Sequence, residues 1–159
     1  MADAATSIRG TPDGVVMGDG YQTLITPASN LTISFWEKGV TPPGMDGGDA
    51  VDTTTMHNTA YRTFYPRNLK TLTDAGATVA YDAAVYDDII ALINVRTDWT
   101  VNFSSGDTLD WYGYLKSFEP GEITEGAQPE ATIVIVSTNV DDADETENGP
   151  NFKTSAGTD

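Results

Sequence analysis

Cysteine is absent from this chain of 159 residues, and histidine occurs once. The lack of cysteine excludes disulfides, thiol nucleophiles and cysteine-ligated zinc or iron–sulfur sites. Basic residues are scarce: eight Lys and Arg stand against twenty-four Asp and Glu, which gives a net charge of −16. Proteins that bind duplex DNA use Lys and Arg to replace the counterions on its phosphates, so this composition argues against duplex-DNA recognition.

Long apolar runs are also missing. The longest, Ile89–Ile93 and Ile133–Val136, fall far short of the roughly 20 residues that a membrane span needs. The N-terminal segment shows neither the basic nor the apolar region of a signal peptide. We therefore expect a soluble protein that is made in a cytoplasm and has no membrane partner.

Composition divides the chain into three zones. Residues 1–20 are rich in Ala, Gly, Asp and Thr without a period, which predicts an N-terminal arm. Residues 21–140 hold nearly every large apolar side chain, enough for one packed domain. Residues 141–159 contain six acids, one Lys and one large apolar residue, Phe152. Such a segment buries too little surface to offset its ordering entropy, so we expect a flexible acidic tail.

The sequence pattern of the middle zone predicts strands, a long loop and one helix. Asp82 is a plausible N-cap for a helix over residues 83–93, whose apolar face is Val85, Ile89, Leu92 and Ile93. Together these elements predict a mainly β fold, an antiparallel β-sandwich or barrel-forming domain with one flanking α-helix. Alternation of apolar and polar residues, together with turn residues, predicts five strands. They are Leu31–Glu37, Ala77–Tyr81, Thr100–Phe103, Thr108–Phe118 and Ala131–Thr138, of which Ala131–Thr138 is the last.

The loop over residues 38–70 is too long to be an ordinary connection. It carries no clear repeating element, yet it is rich in Met and aromatic residues, which a disordered linker would lack. We expect it to become ordered against something outside its own domain.

The strand Thr108–Phe118 is apolar on both faces. Leu109, Trp111, Gly113 and Leu115 alternate on one face, which would pack the core, and the other face carries Tyr112, Tyr114 and Phe118. That second face is either a subunit interface or the surface that the helix covers, and the sequence does not decide between them.

Signals of catalysis or metal binding are weak. His57 has no second His or Cys with which to bind zinc. Asp46, Asp49 and Asp52 are spaced by three residues but do not follow the EF-hand pattern, so a solvated or interface loop is a better interpretation than an ion site. Glu122 and Glu125 fit a polar turn better than a glycosidase pair. We therefore expect no cofactor, no metal and no enzymatic activity.

Two stretches of the chain are distinctive enough to indicate a protein family. DTTTMHNTAYRTF ends the run Gly39–Phe64, and GYLKSFEPGEI begins a stretch that closes with PEATI. With the helix region they cover about two thirds of the chain, which resembles the major tail tube proteins of long-tailed bacteriophages (siphovirus type).

The resemblance implies a structural subunit that assembles into stacked rings, usually of six copies, around a lumen. Such rings form the virion tail, are assembled in the host cytoplasm, and conduct DNA on ejection without binding it specifically. The implied partners are other copies of the chain, a tape-measure protein in the lumen, and tail-tip (baseplate) and terminator proteins at the two ends. A ring of six would carry about −96 formal charges, which would repel phosphate.

The resemblance also gives roles to named residues. The long loop would make contacts between rings or subunits, the second face of the strand would contact a neighbouring subunit, and acids beside the inner strands would line the lumen. The loop residues are Pro42, Pro43, Met45, Met56, Tyr61, Phe64 and Tyr65. The residues of the second strand face are Tyr112, Tyr114 and Phe118. The candidate lumen acids are Asp98, Asp107, Asp110, Glu119, Glu122, Glu125 and Glu130.

Two alternatives stay open. A stand-alone β-sandwich binding module could stack sugar rings on Trp111, Tyr112 and Tyr114. A related phage ring component, such as a tail terminator, would form single rings and stop.

Overall fold

The computed structural model describes residues 23–28 and 35–154. The predicted N-terminal arm, most of the predicted strand Leu31–Glu37 and residues 155–159 lie outside the described residues. No helix within the described ranges is long and apolar enough to cross a membrane. The strands are β1 (Leu24–Pro27), β2 (Glu37–Thr41), β3 (Met45–Asp46), β4 (Val51–Asp52), β5 (Phe64–Tyr65), β6 (Thr71–Leu72), β7 (Ala75–Ala80), β8 (Arg96–Asn102), β9 (Thr108–Pro120), β10 (Glu130–Ser137) and β11 (Asn151–Lys153).

One antiparallel sheet dominates the described residues. Its strands run in the order β1-β8-β9-β10-β7-β2, and β11 pairs with the first part of β9. The sheet curls into a half-barrel, so its two edge strands approach each other. The backbone N–H of Ile25 in β1 donates to Glu37 Oε1 in β2 at 3.0 Å, which links the edges through a side chain. The predicted mainly β, antiparallel fold with one flanking helix is confirmed, in its barrel-like form.

The hydrophobic core lies on one face of this sheet. Along β10, Ala131, Ile133 and Ile135 are buried, whereas the residues between them are exposed or half-buried. Trp99 and Trp111 are directly opposite each other on β8 and β9, and both are fully buried. Burying side chains of this size stabilises the fold by about 1.5–3 kcal/mol each, and this period-two burial confirms the hairpin of β8 and β9.

The helix is shorter than its prediction. Asp82 caps it as expected, because its Oδ1 accepts a hydrogen bond from the backbone N–H of Ala84 at 2.9 Å. A 3₁₀ turn over Ala83–Val85 leads into α1 (Tyr86–Ala91). Ile89 and Leu92 are buried in the core, and Val85 and Ile93 pack against it, so the predicted apolar face is confirmed.

A β-bulge changes the direction of side chains in the middle of β9. Leu115 pairs with Ile135, but Ser117 pairs with the preceding residue, Val134, so Lys116 is an extra residue in the ladder. Before the bulge the odd-numbered residues face the core; after it Phe118 does, at 9% exposure. The prediction that Phe118 shares an outer face with Tyr112 and Tyr114 is therefore wrong.

The long loop contains strand pairs that the sequence did not reveal. β3 pairs with β6, and β4 pairs with β5, each over two residues. Residues 42–73 thus form an extended β-hairpin, called the long hairpin below, that leaves the sheet between β2 and β7. The prediction that this region has no repeating element is wrong, because two short ladders organise it.

The acidic C-terminal zone also differs from its prediction. Asp141–Glu145 form a turn closed by the bridge between Val140 and Glu147. β11 then pairs with β9, Lys153 Nζ lies 2.9 Å from Asp110 Oδ2, and the ring of Phe152 lies 6.3 Å from that of Phe103. The expectation of a flexible tail is wrong for residues 151–153, and Ala131–Thr138 is not the last strand.

Candidate interaction surfaces

The long hairpin exposes an unusual amount of apolar surface. Every residue from Gly44 to Thr71 is exposed except Asn58, which is half-buried. Five of the seven predicted interface residues lie on this surface, whereas Pro43 is buried and Pro42 half-buried at the base of the hairpin. Leu69, at 81% exposure, is an addition that the sequence prediction missed. The exposed fractions of the five are 58% for Met45, 101% for Met56, 85% for Tyr61, 55% for Phe64 and 67% for Tyr65.

Hydrogen bonds within the long hairpin hold its shape. At the tip, the backbone N–H of Thr53 donates to the carbonyl oxygen of Thr63 at 2.9 Å, and Asn58 Nδ2 donates to the carbonyl oxygen of Tyr61 at 3.0 Å. Lower down, Arg67 Nε donates to the carbonyl oxygen of Asp49 at 2.8 Å. These polar contacts fix the backbone while the apolar side chains stay in solvent, so the surface is organised before any partner arrives.

The acids of the long hairpin stabilise its turns. Asp46 Oδ1 accepts from the backbone N–H of Gly48 at 2.8 Å, and Gly48 adopts a φ of 75°, which favours glycine. Hydrogen bonds from the hydroxyl and backbone N–H of Thr54 hold the pKa of Asp52 below its usual range. Arg62 Nη1 lies 3.3 Å from Asp52 Oδ2. No group of three or more possible ligands that could hold a metal occurs in the described ranges.

The second candidate surface is the face of the sheet turned away from the core. Asp98, Asp110, Glu119 and Glu130 stand on this outer face at strand positions that alternate with core residues. Asp110 and Glu130 form ion pairs with Lys153 and Lys38, so these two acids are largely neutralised. The other predicted lumen acids lie in connections: Asp107 in the β8–β9 turn, and Glu122 and Glu125 in the β9–β10 loop.

The tyrosines of β9 are half-buried on the outer face. Tyr112 donates its hydroxyl to Asp141 Oδ2 at 3.0 Å, so the C-terminal segment packs against this end of the face. Trp111 is 1% exposed on the opposite face. It cannot share a sugar-stacking platform with Tyr112 and Tyr114, so that part of the carbohydrate alternative is wrong.

The hydroxyl of Tyr112 is expected to ionise at unusually high pH. Its hydrogen bond to Asp141, followed by burial and the charge of Asp141, raises its pKa to about 12 from the ordinary 10.0. The stabilising contribution of the protonated hydroxyl is complete below pH 10 and is lost as the pH rises through about 12. The check is the near-ultraviolet absorbance of tyrosinate in wild type minus Tyr112→Phe, which should titrate near pH 12.

Asp141→Asn serves as the control for this prediction. Without the carboxylate, the Tyr112 component of the titration should move down toward the ordinary value. A difference spectrum that titrates near pH 10 in the wild type would contradict the prediction.

Comparisons with solved structures find this fold in chains of gene transfer agent particles. No family model and no curated protein matches the sequence. A chain in the structure of a virion of a native gene transfer agent particle matches with a TM-score of 0.59 and 11% identity, covering 87% of this chain and 100% of that chain. A chain in the tail of an empty gene transfer agent particle, refined with C6 helical symmetry, matches with a TM-score of 0.55 and 11% identity, over 77% and 95% of the two chains. At this identity the likeness establishes a shared fold.

Proposed function

We propose that this chain is the structural subunit of a phage-type tail tube. It assembles with copies of itself into hexameric rings, and the rings stack into a tube that conducts DNA. The observation that carries the proposal is the fold shared with chains of a gene transfer agent virion and of a C6-symmetric tail, over most of both chains. The resemblance of the long loop and of the β9–β10 stretch to tail tube proteins points the same way.

The long hairpin supplies the contact between rings in this proposal. Monomeric proteins rarely expose so many large apolar side chains on one projecting element. A hairpin that docks on a different part of the next copy makes a heterologous contact, which does not close and therefore builds a filament. Self-association through this element, rather than catalysis, is the proposed activity.

The outer face of the sheet is proposed as the wall of the lumen. Its middle rows carry small or uncharged residues: Thr78 of β7 pairs with Thr132 of β10, and Gly76 pairs with Val134. Lys38 and Lys153 are engaged by Glu130 and Asp110, so they are less available to phosphates. A wall of this chemistry lets DNA pass without sticking to it. A tape-measure protein in the lumen during assembly, and tail-tip and terminator proteins at the ends, complete the proposed set of partners.

Electron microscopy of the purified protein tests the proposal directly. A concentration series at low and high salt should give hollow tubes of uniform width, and high salt should favour them because it screens the repulsion between chains of charge −16. Single rings that never stack would favour a terminator-like component instead. Monomers at every concentration and salt, even after tail tips are added, would contradict the proposal.

A further inference from the structure

The long hairpin and a second exposed cluster lie at opposite ends of the sheet. The hairpin leaves β2 at Thr41, which pairs with Gly76 near the start of β7. At the other end of β7, Ala80 pairs with Glu130, and the chain enters the helix. Six residues of extended strand separate the two ends by about 17 Å. The second cluster, called the acidic end below, consists of Trp36, residues 82–90 and the β9–β10 loop (residues 121–129).

Charge is divided unequally between these parts. In the long hairpin three acids are matched by three bases, Arg62, Arg67 and Lys70, so residues 42–73 carry no net charge. The other described residues hold seventeen acids and four bases, a net charge of −13. Two bodies of this charge repel each other, whereas the hairpin can approach such a body without net repulsion.

The acidic end combines carboxylates with exposed apolar side chains. Ile123 is 64% exposed between Glu122 and Glu125, and Trp36 is 63% exposed. Tyr86 and Ile90 of α1 are 39% and 40% exposed, and Asp87 and Asp88 lie beside them. A surface of this kind, apolar with an acidic rim, can contact an apolar hairpin of zero net charge without the repulsion that a second acidic surface would meet.

A crevice opens between the helix and the β2 side of the sheet at this end. It is shallow, with a volume of about 10 Å³; its walls include Trp36, Val85 and Phe118, and Asp82 is among its lining residues. A space of this size does not hold an apolar side chain, so we expect a docked hairpin to lie across the exposed apolar side chains of the acidic end.

We infer that the acidic end of one copy receives the long hairpin of the next copy, so that each ring is joined to its neighbour end to end. The inference rests on the proposed function and deepens it, since it names the receptor surface. The occupant is a second copy of this chain because both surfaces are apolar, the neutral hairpin is not repelled by the acidic end, and the two surfaces lie at opposite ends of one sheet. DNA is a poor occupant, since the acidic end would repel its phosphates.

Charge reversal tests the inference at both surfaces. Lys70 has no ion pair within the described ranges, so Lys70→Glu changes the hairpin without breaking an internal contact; Glu125→Lys changes the acidic end. We expect each variant to raise the critical concentration for assembly, measured by sedimentation, by about tenfold, which corresponds to about 1.4 kcal/mol per contact. The double variant should recover part of the loss, because the reversed charges again attract each other.

Matched controls make the same change in net charge elsewhere. Lys116→Glu alters the bulge of β9, and Glu147→Lys alters the C-terminal segment; both residues are exposed. We expect these controls to stay within about twofold of the wild type. If Glu125→Lys behaves as its control does while the wild type still forms tubes, the inference fails and the proposed function stands.

Cross-linking gives a second measurement, which does not depend on one pair of charges. The chain has no cysteine, so a protein with Met56→Cys can be mixed with one carrying Ile123→Cys and treated with a short bismaleimide. We expect a dimer that joins the two proteins, and none when Ser104→Cys in the β8–β9 turn replaces Ile123→Cys. Tubes without this product would overturn the inference alone, whereas the absence of both tubes and product would overturn the inference and the proposed function together.

Discussion

Replacing Phe64 by Asp is expected to abolish tube growth while the sheet domain stays folded. Phe64 is 55% exposed in β5 and lies outside the core cluster, so its loss should change the global free energy of unfolding by less than about 1 kcal/mol. At an interface, an apolar anchor of this size contributes about 2 kcal/mol or more, and every copy in a tube would lose that contact. Thermal unfolding and electron microscopy of the same sample measure the two effects.

The position of Phe64 requires a companion variant. Phe64 stands directly opposite Asp52 in the β4–β5 ladder, so a new carboxylate there also repels its cross-strand neighbour. Phe64→Asn removes the apolar ring without adding charge and should also prevent growth, though less completely. Ser104→Asp adds the same charge at an exposed position outside the hairpin and should still allow tubes. If Phe64→Asp still formed long tubes, the assignment of Phe64 to the interface between copies would be contradicted.

Gly113→Ala is expected to destabilise the fold by about 3 kcal/mol, near the upper limit for overpacking a core. Gly113 is buried in β9, and a Cβ atom there would lie 2.5 Å from the carbonyl oxygen of Val136 and 3.4 Å from Cγ2 of Ile135. The first of these atoms belongs to the backbone of β10, so relief requires the strands to move apart. Urea unfolding followed by tryptophan fluorescence measures the loss.

Gly39→Ala is the matched control for Gly113→Ala. Gly39 also lies in a strand, β2, but a Cβ atom there would meet nothing within 4 Å. We expect its free energy of unfolding to change by no more than about 0.5 kcal/mol. If the two variants were equally stable, β9 and β10 could move apart at Gly113 at little cost. That result would contradict the prediction that a Cβ atom there clashes with the carbonyl oxygen of Val136.

The parts of the fold that the sequence predicted share a local cause. The alternation of Ile133 and Ile135 with less buried residues, and the Asp82 cap before an apolar face, are patterns that one strand or one helix displays by itself. The mainly β fold, the β8–β9 hairpin and the helix follow from such patterns. None of them requires knowledge of a distant partner.

The parts that the sequence missed depend on pairing between distant residues. The bulge at Lys116 is set by the register against β10, and the residues of β9 carry no signal of it, so simple alternation along β9 predicts the wrong face for Phe118. The two-residue ladders of the long hairpin are too short to show alternation. β11 is held by an ion pair to Asp110 and a ring contact to Phe103, more than 40 residues earlier, whereas its own acidic context favours disorder.

For the same reason, the sequence alone places only part of the candidate surfaces. Residue type predicts that Met56, Tyr61 and Phe64 contact something outside their own domain; the structure shows all three exposed, and the contact itself stays a prediction. Composition also indicated an acidic chain, but it could not show that Lys38 and Lys153 neutralise Glu130 and Asp110. Nor could it show that the neutral hairpin and the acidic end lie at opposite ends of one sheet, which only the β7 register reveals.

This unequal division of charge makes the long hairpin the least repelled part of the molecule. The whole chain carries a net charge of −16, whereas residues 42–73 carry none. When two copies diffuse together, contact between two acidic surfaces is the most strongly repelled encounter, and contact made through a hairpin is less so. In the proposed tube, the hairpin is therefore the element that can reach the next copy with the least work against electrostatic repulsion.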